Sequence, residues 1–158
     1  MPPYTRATLT NATQFLLHAF SSSSDLPTLL NTFTTSPSPT VHEHGLPQLA
    51  PFLGRTFTGR QQVEEYFNLL SEHLGIENMR FDDEKEWAVD VETGVVCLKG
   101  YARFTSKKSG QGWDEVFTYR IGLVRDEKED KVKVRRYEVW ADTGAAYLAA
   151  KGELESLS

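Results

Sequence analysis

The sequence predicts an α+β fold, and two observations carry that reading. Up to Gly75 the apolar residues recur at three- and four-residue spacing, the period of amphipathic helices; beyond it they alternate, the period of half-buried strands. The connections between the alternating segments are hairpin-sized, which makes neighbouring strands antiparallel and sets the helices apart from the sheet.

Between Thr10 and Phe20, the residues Ala12, Phe15, Leu16, Ala19 and Phe20 form one stripe, the first helix. Ser21-Ser22-Ser23-Ser24 ends it. Asp25 then stands at the N-cap of a shorter helix, with Pro27 near its start and Leu26, Leu29, Leu30 and Phe33 as its stripe. After the break at Ser36-Pro37-Ser38-Pro39, Thr40–His44 escapes the helical pattern and reads as an extended piece fit for a sheet edge. A capping box opens the third helix, with Thr58 followed three residues later by Gln61. Val63, Tyr66, Phe67, Leu70 and Leu74 share its apolar face, and Gly75 is placed as its C′ glycine. Four strands are expected at about 79–89, 95–105, 113–124 and 132–141, followed by a short helix around 145–150 that ends by Gly152.

Composition narrows the function. A chain of 158 residues is the size of one ordinary domain. With 17 Lys and Arg against 22 Asp and Glu, the net charge of −5 gives no positive field for a phosphate backbone, so no nucleic-acid partner is expected. Cys97 is the only cysteine, which excludes an intramolecular disulfide and a cysteine zinc cluster and fits the reducing cytoplasm. No window approaches 18 consecutive apolar residues and no signal-peptide core opens the chain, so no membrane partner is expected. Neither a phosphate-binding glycine loop nor a G-x-S-x-G elbow is present.

The segment from Trp113 is the most informative. Trp113, Glu115, Phe117, Tyr119, Ile121 and Leu123 alternate onto one face, and Asp114, Thr118 and Arg120 onto the other. Glu115 thus falls among rings, where lost hydration raises a carboxyl pKa and makes it a candidate acid or base near neutral pH. The competing role is an ion pair with Arg103 at a rim. Trp113, Phe117 and Tyr119 are candidate substrate contacts on the same face. His42 and His44, two residues apart in an extended piece, share one face, with Glu43 on the other. Two imidazoles can shuttle a proton or hold an enolate oxygen; the competing role is a hydrogen-bonded turn into Gly45. A metal centre of the H-x-H type wants a carboxylate four or five residues on, where Gln48 and Leu49 stand, so no metal is expected. At the end of the last strand Glu138, Trp140 and Asp142 share a face. Trp140 offers a flat wall to a ring-shaped ligand, and Asp142 stands where it can N-cap the final helix. The alternating basic run Lys131-Val132-Lys133-Val134-Arg135-Arg136 reads as a solvated or dimerising strand face.

Three pieces carry a family resemblance: Phe57-Thr58-Gly59-Arg60 leading into Val63, Tyr66 and Phe67; Trp113-Asp114-Glu115-Val116-Phe117; and Tyr137-Glu138-Val139-Trp140-Ala141-Asp142. In this order they resemble the SnoaL-like branch of the NTF2-like superfamily over residues 7–151, leaving 1–6 and 152–158 as short tails. The resemblance implies a cone in which three N-terminal helices pack into a strongly curved antiparallel sheet, with a short C-terminal helix and a pocket. The run from Val41-His42-Glu43-His44 through Phe52-Leu53-Gly54-Arg55 is similar to small fungal members, some of them associated with polyketide or meroterpenoid pathways. It implies a homodimeric, cofactor-independent isomerase, cyclase or dehydratase (lyase) that moves protons on a hydrophobic polyketide-like molecule. Asp142 matches the position of the catalytic base, with Glu115, His42 and His44 as the other candidate catalytic groups. The superfamily also holds proteins without chemistry, so a non-catalytic dimerisation or protein-binding module is the alternative. The enzyme expects a cavity of at least a few hundred Å3 with convergent ionisable groups, and the module a filled one.

Overall fold

The computed structural model describes residues 3–157. Its elements run α1 (Arg6–Ser21), α2 (Leu26–Leu30), β1 (Thr40–His44), β2 (Thr56–Thr58), α3 (Arg60–His73), β3 (Leu74–Phe81), β4 (Ala88–Asp90), β5 (Val95–Ser106), β6 (Gly112–Arg125), β7 (Val132–Trp140) and α4 (Thr143–Ala150). The strands form one open, curved sheet in the order β2-β1-β7-β6-β5-β3, with β4 also paired to β5. All pairs are antiparallel except β1 with β7.

Thr5 caps α1 by accepting the Thr8 N–H, and Asp25 caps α2 by accepting the Thr28 N–H at 2.8 Å. The α1 stripe is rotated from its predicted position. Leu9, Thr10, Ala12, Thr13, Leu16, Leu17 and Ala19 are buried, whereas Phe15 is 71% exposed. The period fixes the width of a stripe but not its centre. Thr10 and Thr13 enter the buried arc because their hydroxyls donate back to the carbonyls of Ala7 and Leu9.

The start of α3 also differs by one residue. Gly59 is the N-cap, at φ +85°, and Gln62 rather than Gln61 reaches back, accepting the Thr58 N–H at 2.8 Å. Gly75 is not a C′ glycine: α3 passes through Leu74 directly into β3, where Gly75 pairs with Thr105. The strand expected at 79–89 is two strands. Asp83 accepts the Lys85 N–H and opens a 3-10 turn at Glu84–Glu86 that separates β3 from β4. Nor is β1 an edge strand, since it lies between β7 and the three-residue β2.

The core sits between the helices and the inward rings of β6 and β7. Phe20 of α1 meets Tyr119 and Tyr137 at 6.0 and 5.8 Å, and Phe67 of α3 meets Tyr137 at 6.2 Å. Gly100 pairs with Phe117 across β5 and β6, and a Cβ there would overlap the Phe117 ring, so the glycine gives that ring its place. No helix among the described residues is long and apolar enough to cross a membrane.

Candidate functional site

The inward residues of β1, β6 and β7 converge beneath α3. On β6 the predicted alternation holds: Trp113, Glu115, Phe117, Tyr119, Ile121 and Leu123 are buried, while Asp114, Val116 and Thr118 are exposed. On β7, Tyr137 and Val139 face inward. On β1, Val41 and Glu43 do so, placing Glu43 beside Val139 and, one strand further, Tyr119.

These side chains surround a hollow whose walls include Phe52, Phe104, Trp113, Phe117, Tyr119 and Tyr137, with Glu43, Glu115 and Asp142 as its carboxyl groups. About 50 Å3 of it is free for water-sized molecules, within about 510 Å3 of unfilled space counted out through the mouth. The smaller figure describes the interior, because the larger one takes in open solvent; the room of a few hundred Å3 expected of the enzyme is not there in this form, and the nearly filled hollow is the one expected of the non-catalytic module, although the convergent carboxyl groups expected of the enzyme are present. Ile76 and Asp142 are the exposed residues at the mouth.

Glu43 is 7% exposed and accepts the Tyr66 hydroxyl at 2.5 Å. Burial pushes its carboxyl up, the Tyr66 donor pulls it partly back and the charge of Glu115 pushes it up again, leaving it at about 7. Glu115 is 9% exposed, and its Oε1 accepts both the Trp113 indole N–H at 3.0 Å and the Asp142 backbone N–H at 3.1 Å. Burial raises its pKa, against those two donors. The alternative ion pair is not made, since Arg103 faces outward and meets Asp114 at 3.6 Å. Burial likewise raises the Tyr66, Tyr119 and Tyr137 hydroxyls, which stay protonated donors.

Asp142 is the N-cap that the sequence offered. It stands at the mouth and its Oδ1 accepts the Ala145 N–H at 3.0 Å, capping α4. It does not share a face with Glu138 and Trp140, because β7 ends at Trp140 and the alternation ends with it. The expectation that at least one of His42 and His44 reaches the pocket is overturned. Val41 and Glu43 take the inward positions of β1, which turns both imidazoles to the outer face. There His42 lies 2.9 Å from the Thr56 hydroxyl, and His44 stacks on Trp140 at 4.2 Å and meets Glu138 at 3.4 Å. Burial, then His44, lower the His42 pKa, against the charge of Glu138. Trp140 is 43% exposed on that outer face, so it is no wall of the hollow. Among the described residues no group of three or more His, Cys, Asp or Glu is arranged to hold a metal.

Glu43 is the site residue that sequence reasoning passed over. Its signal was the alternation of Val41-His42-Glu43-His44: once Val41 is taken as core, Glu43 follows it inward and both histidines follow each other out.

The fold recurs in solved structures. A ketosteroid isomerase-like protein from Erwinia carotovora atroseptica superposes with a TM-score of 0.64 at 17% identity, over 86% of this chain and 95% of its own. PrhC from Penicillium brasilianum gives 0.68 at 17% identity, over 98% and 96%. An NTF2-like protein from Burkholderia xenovorans gives 0.62 at 16% identity, over 94% and 96%. The fold is the NTF2-like cone. No family model and no curated protein matches the sequence, so the likeness is one of NTF2-like architecture, in which the inner face of the cone carries Glu43 and Glu115.

Proposed function

We propose that the chain is a cofactor-independent isomerase, cyclase or dehydratase that moves protons on a hydrophobic, polyketide-like molecule held inside the cone. One observation carries this reading: Glu43 is a buried carboxyl at about 7, hydrogen-bonded by Tyr66, on the wall of an aromatic hollow that also bears Glu115. A carboxyl with its pKa near the working pH can both take and return a proton. In this reading Glu43 removes a carbon-bound proton, and Glu115, raised by burial, donates to the oxygen on which enolate charge develops. A polycycle enters only by parting the mouth at Ile76 and the residues beside it.

The test is solvent exchange. A panel of polycyclic ketones and 1,3-diketones is incubated with the protein in D2O and deuterium uptake at the α-carbon is followed by mass spectrometry. Accelerated uptake that Glu43→Gln abolishes supports the reading; uptake that never exceeds the buffer rate for any panel member contradicts it.

The outer face favours a second reading, a dimerisation module. Val116 is 57% exposed and Trp140 43%, both large and apolar on the same side of the sheet. A homodimer through this face is compatible with either reading, and light scattering at micromolar concentration measures it. Dimerisation without any deuterium uptake would leave the module reading standing alone.

A further inference from the structure

The hollow has a charge asymmetry that the fold does not require. The chain carries 17 Lys and Arg and 4 His, yet among the described residues none of them lines the hollow, while three carboxyl groups do. The alternation of the strands explains where the cations go. Lys99, Arg103 and Arg120 occupy outward positions, within 3.9 Å of Asp82, 3.6 Å of Asp114 and 3.2 Å of Glu138 respectively. Arg60, at the start of α3, donates to the carbonyls of Phe33 and Thr34 instead. Arg55 lies over the Phe57 ring and pairs with Glu65 at 2.8 Å.

Three of the hydrogen-bond donors inside are engaged. Tyr66 donates to Glu43, and the Trp113 indole and the Asp142 N–H both converge on Oε1 of Glu115. The donors at Glu43 and Glu115 reach Oε1 in every case, which leaves Oε2 of each carboxyl without a hydrogen-bond partner among the described residues. An anion entering here would meet the charge of each ionised carboxyl with no cation to offset it. An uncharged hydroxyl can donate to a free Oε2, and an uncharged carbonyl can accept from a protonated carboxyl.

We propose that the hollow selects its ligand by charge: it takes an uncharged ring molecule bearing hydroxyl or carbonyl oxygens and rejects carboxylates, phosphates and sulfates of the same size, with Glu43 and Glu115 as the specificity-determining residues. This rests on the small-molecule reading above and narrows its substrate class. Acids and phosphate-bearing thioesters are excluded as substrates, and the reaction that supplies this site must deliver its product free of such groups. The rejection is a repulsive device, because it works against the wrong ligand rather than for the right one.

The experiment uses the full chain, 15N-labelled, and two probes of similar size near pH 7.5: phenol, which is uncharged there, and benzoate, which is ionised. The readout is the Trp113 indole N–H signal, which reports from the wall of the hollow. Phenol should shift it saturably, and benzoate should need at least about tenfold higher concentration for the same shift. In a Glu43→Gln, Glu115→Gln double variant the gap should shrink to about threefold or less. The comparison within the unmodified protein stands by itself if that variant does not fold. Benzoate binding as tightly as phenol overturns the charge selection and leaves the small-molecule reading intact. A Trp113 signal that neither probe moves overturns both.

Discussion

Asp126, in the turn between β6 and β7, and Glu43, beneath α3, are both carboxyl groups withdrawn from solvent, and the protein treats them in opposite ways. Burial pushes Asp126 up, but four backbone N–H groups outweigh it: Thr35 at 2.6 Å, Ser36 at 3.0 Å, Glu129 at 2.8 Å and Lys128 at 3.2 Å hold it at about 2. Glu43 has one donor, the Tyr66 hydroxyl, and stays at about 7. Burial alone therefore does not make a carboxyl chemically useful. The number of donors fixed around it decides whether it becomes a permanent anion that ties loops together or a group that exchanges protons near neutrality.

The largest effect expected from this contrast is on stability. Asp126→Ala strips the acceptor from four partly buried backbone N–H groups and should lower the melting temperature by on the order of 5 °C. Glu43→Gln keeps an acceptor for Tyr66 and should cost far less. Equal losses in a calorimetric scan would break the comparison.

The two carboxyls also predict opposite pH dependences. The folded protein holds the Glu43 proton up to about pH 7, whereas the unfolded chain releases it near 4.5. Between those values deprotonation favours unfolding, so this contribution, roughly 3 kcal/mol, is present below about pH 4.5 and lost as the pH rises through 7. Asp126 runs the other way: its contribution is present above about pH 4 and lost as the pH falls toward 2. Denaturant unfolding from pH 5 to 8 should show stability declining in the unmodified protein and flattening in Glu43→Gln; the same slope in both would contradict the assignment.

A smaller shift sharpens the role of the donor count. Tyr66→Phe removes the hydrogen bond that partly holds Glu43 down, so the decline in stability should move to higher pH. The smallest effects belong to the outer face. His44→Ala and Trp140→Ala, which touch a half-exposed stack, should change the melting temperature by only about 2 °C and leave phenol binding unchanged.

Much of this was legible in the chain and part of it was not, for reasons of range. The long strands β5, β6 and β7 and the burial of Glu115 follow from alternation, a local property that twelve or so residues display plainly. Thr40–His44 was legible as extended, but which of its faces turns inward depends on its parallel pairing with β7, nearly a hundred residues away. The histidines are the residues of Thr40–His44 with the plainest chemistry, and Glu43 stands between them on the opposite face. At three residues, β2 is too short to show a period. The split between β3 and β4 turns on a side-chain cap at Asp83, which competes with a pattern that otherwise reads as continuous.

A carboxyl-carbon NMR titration, following Glu43 and Asp126 in one sample of the full chain, bears most directly on whether the cone holds a proton-exchanging acid. Midpoints near pH 7 for Glu43 and near pH 2 for Asp126 are the predicted result. A Glu43 midpoint near the ordinary 4.5 would contradict it.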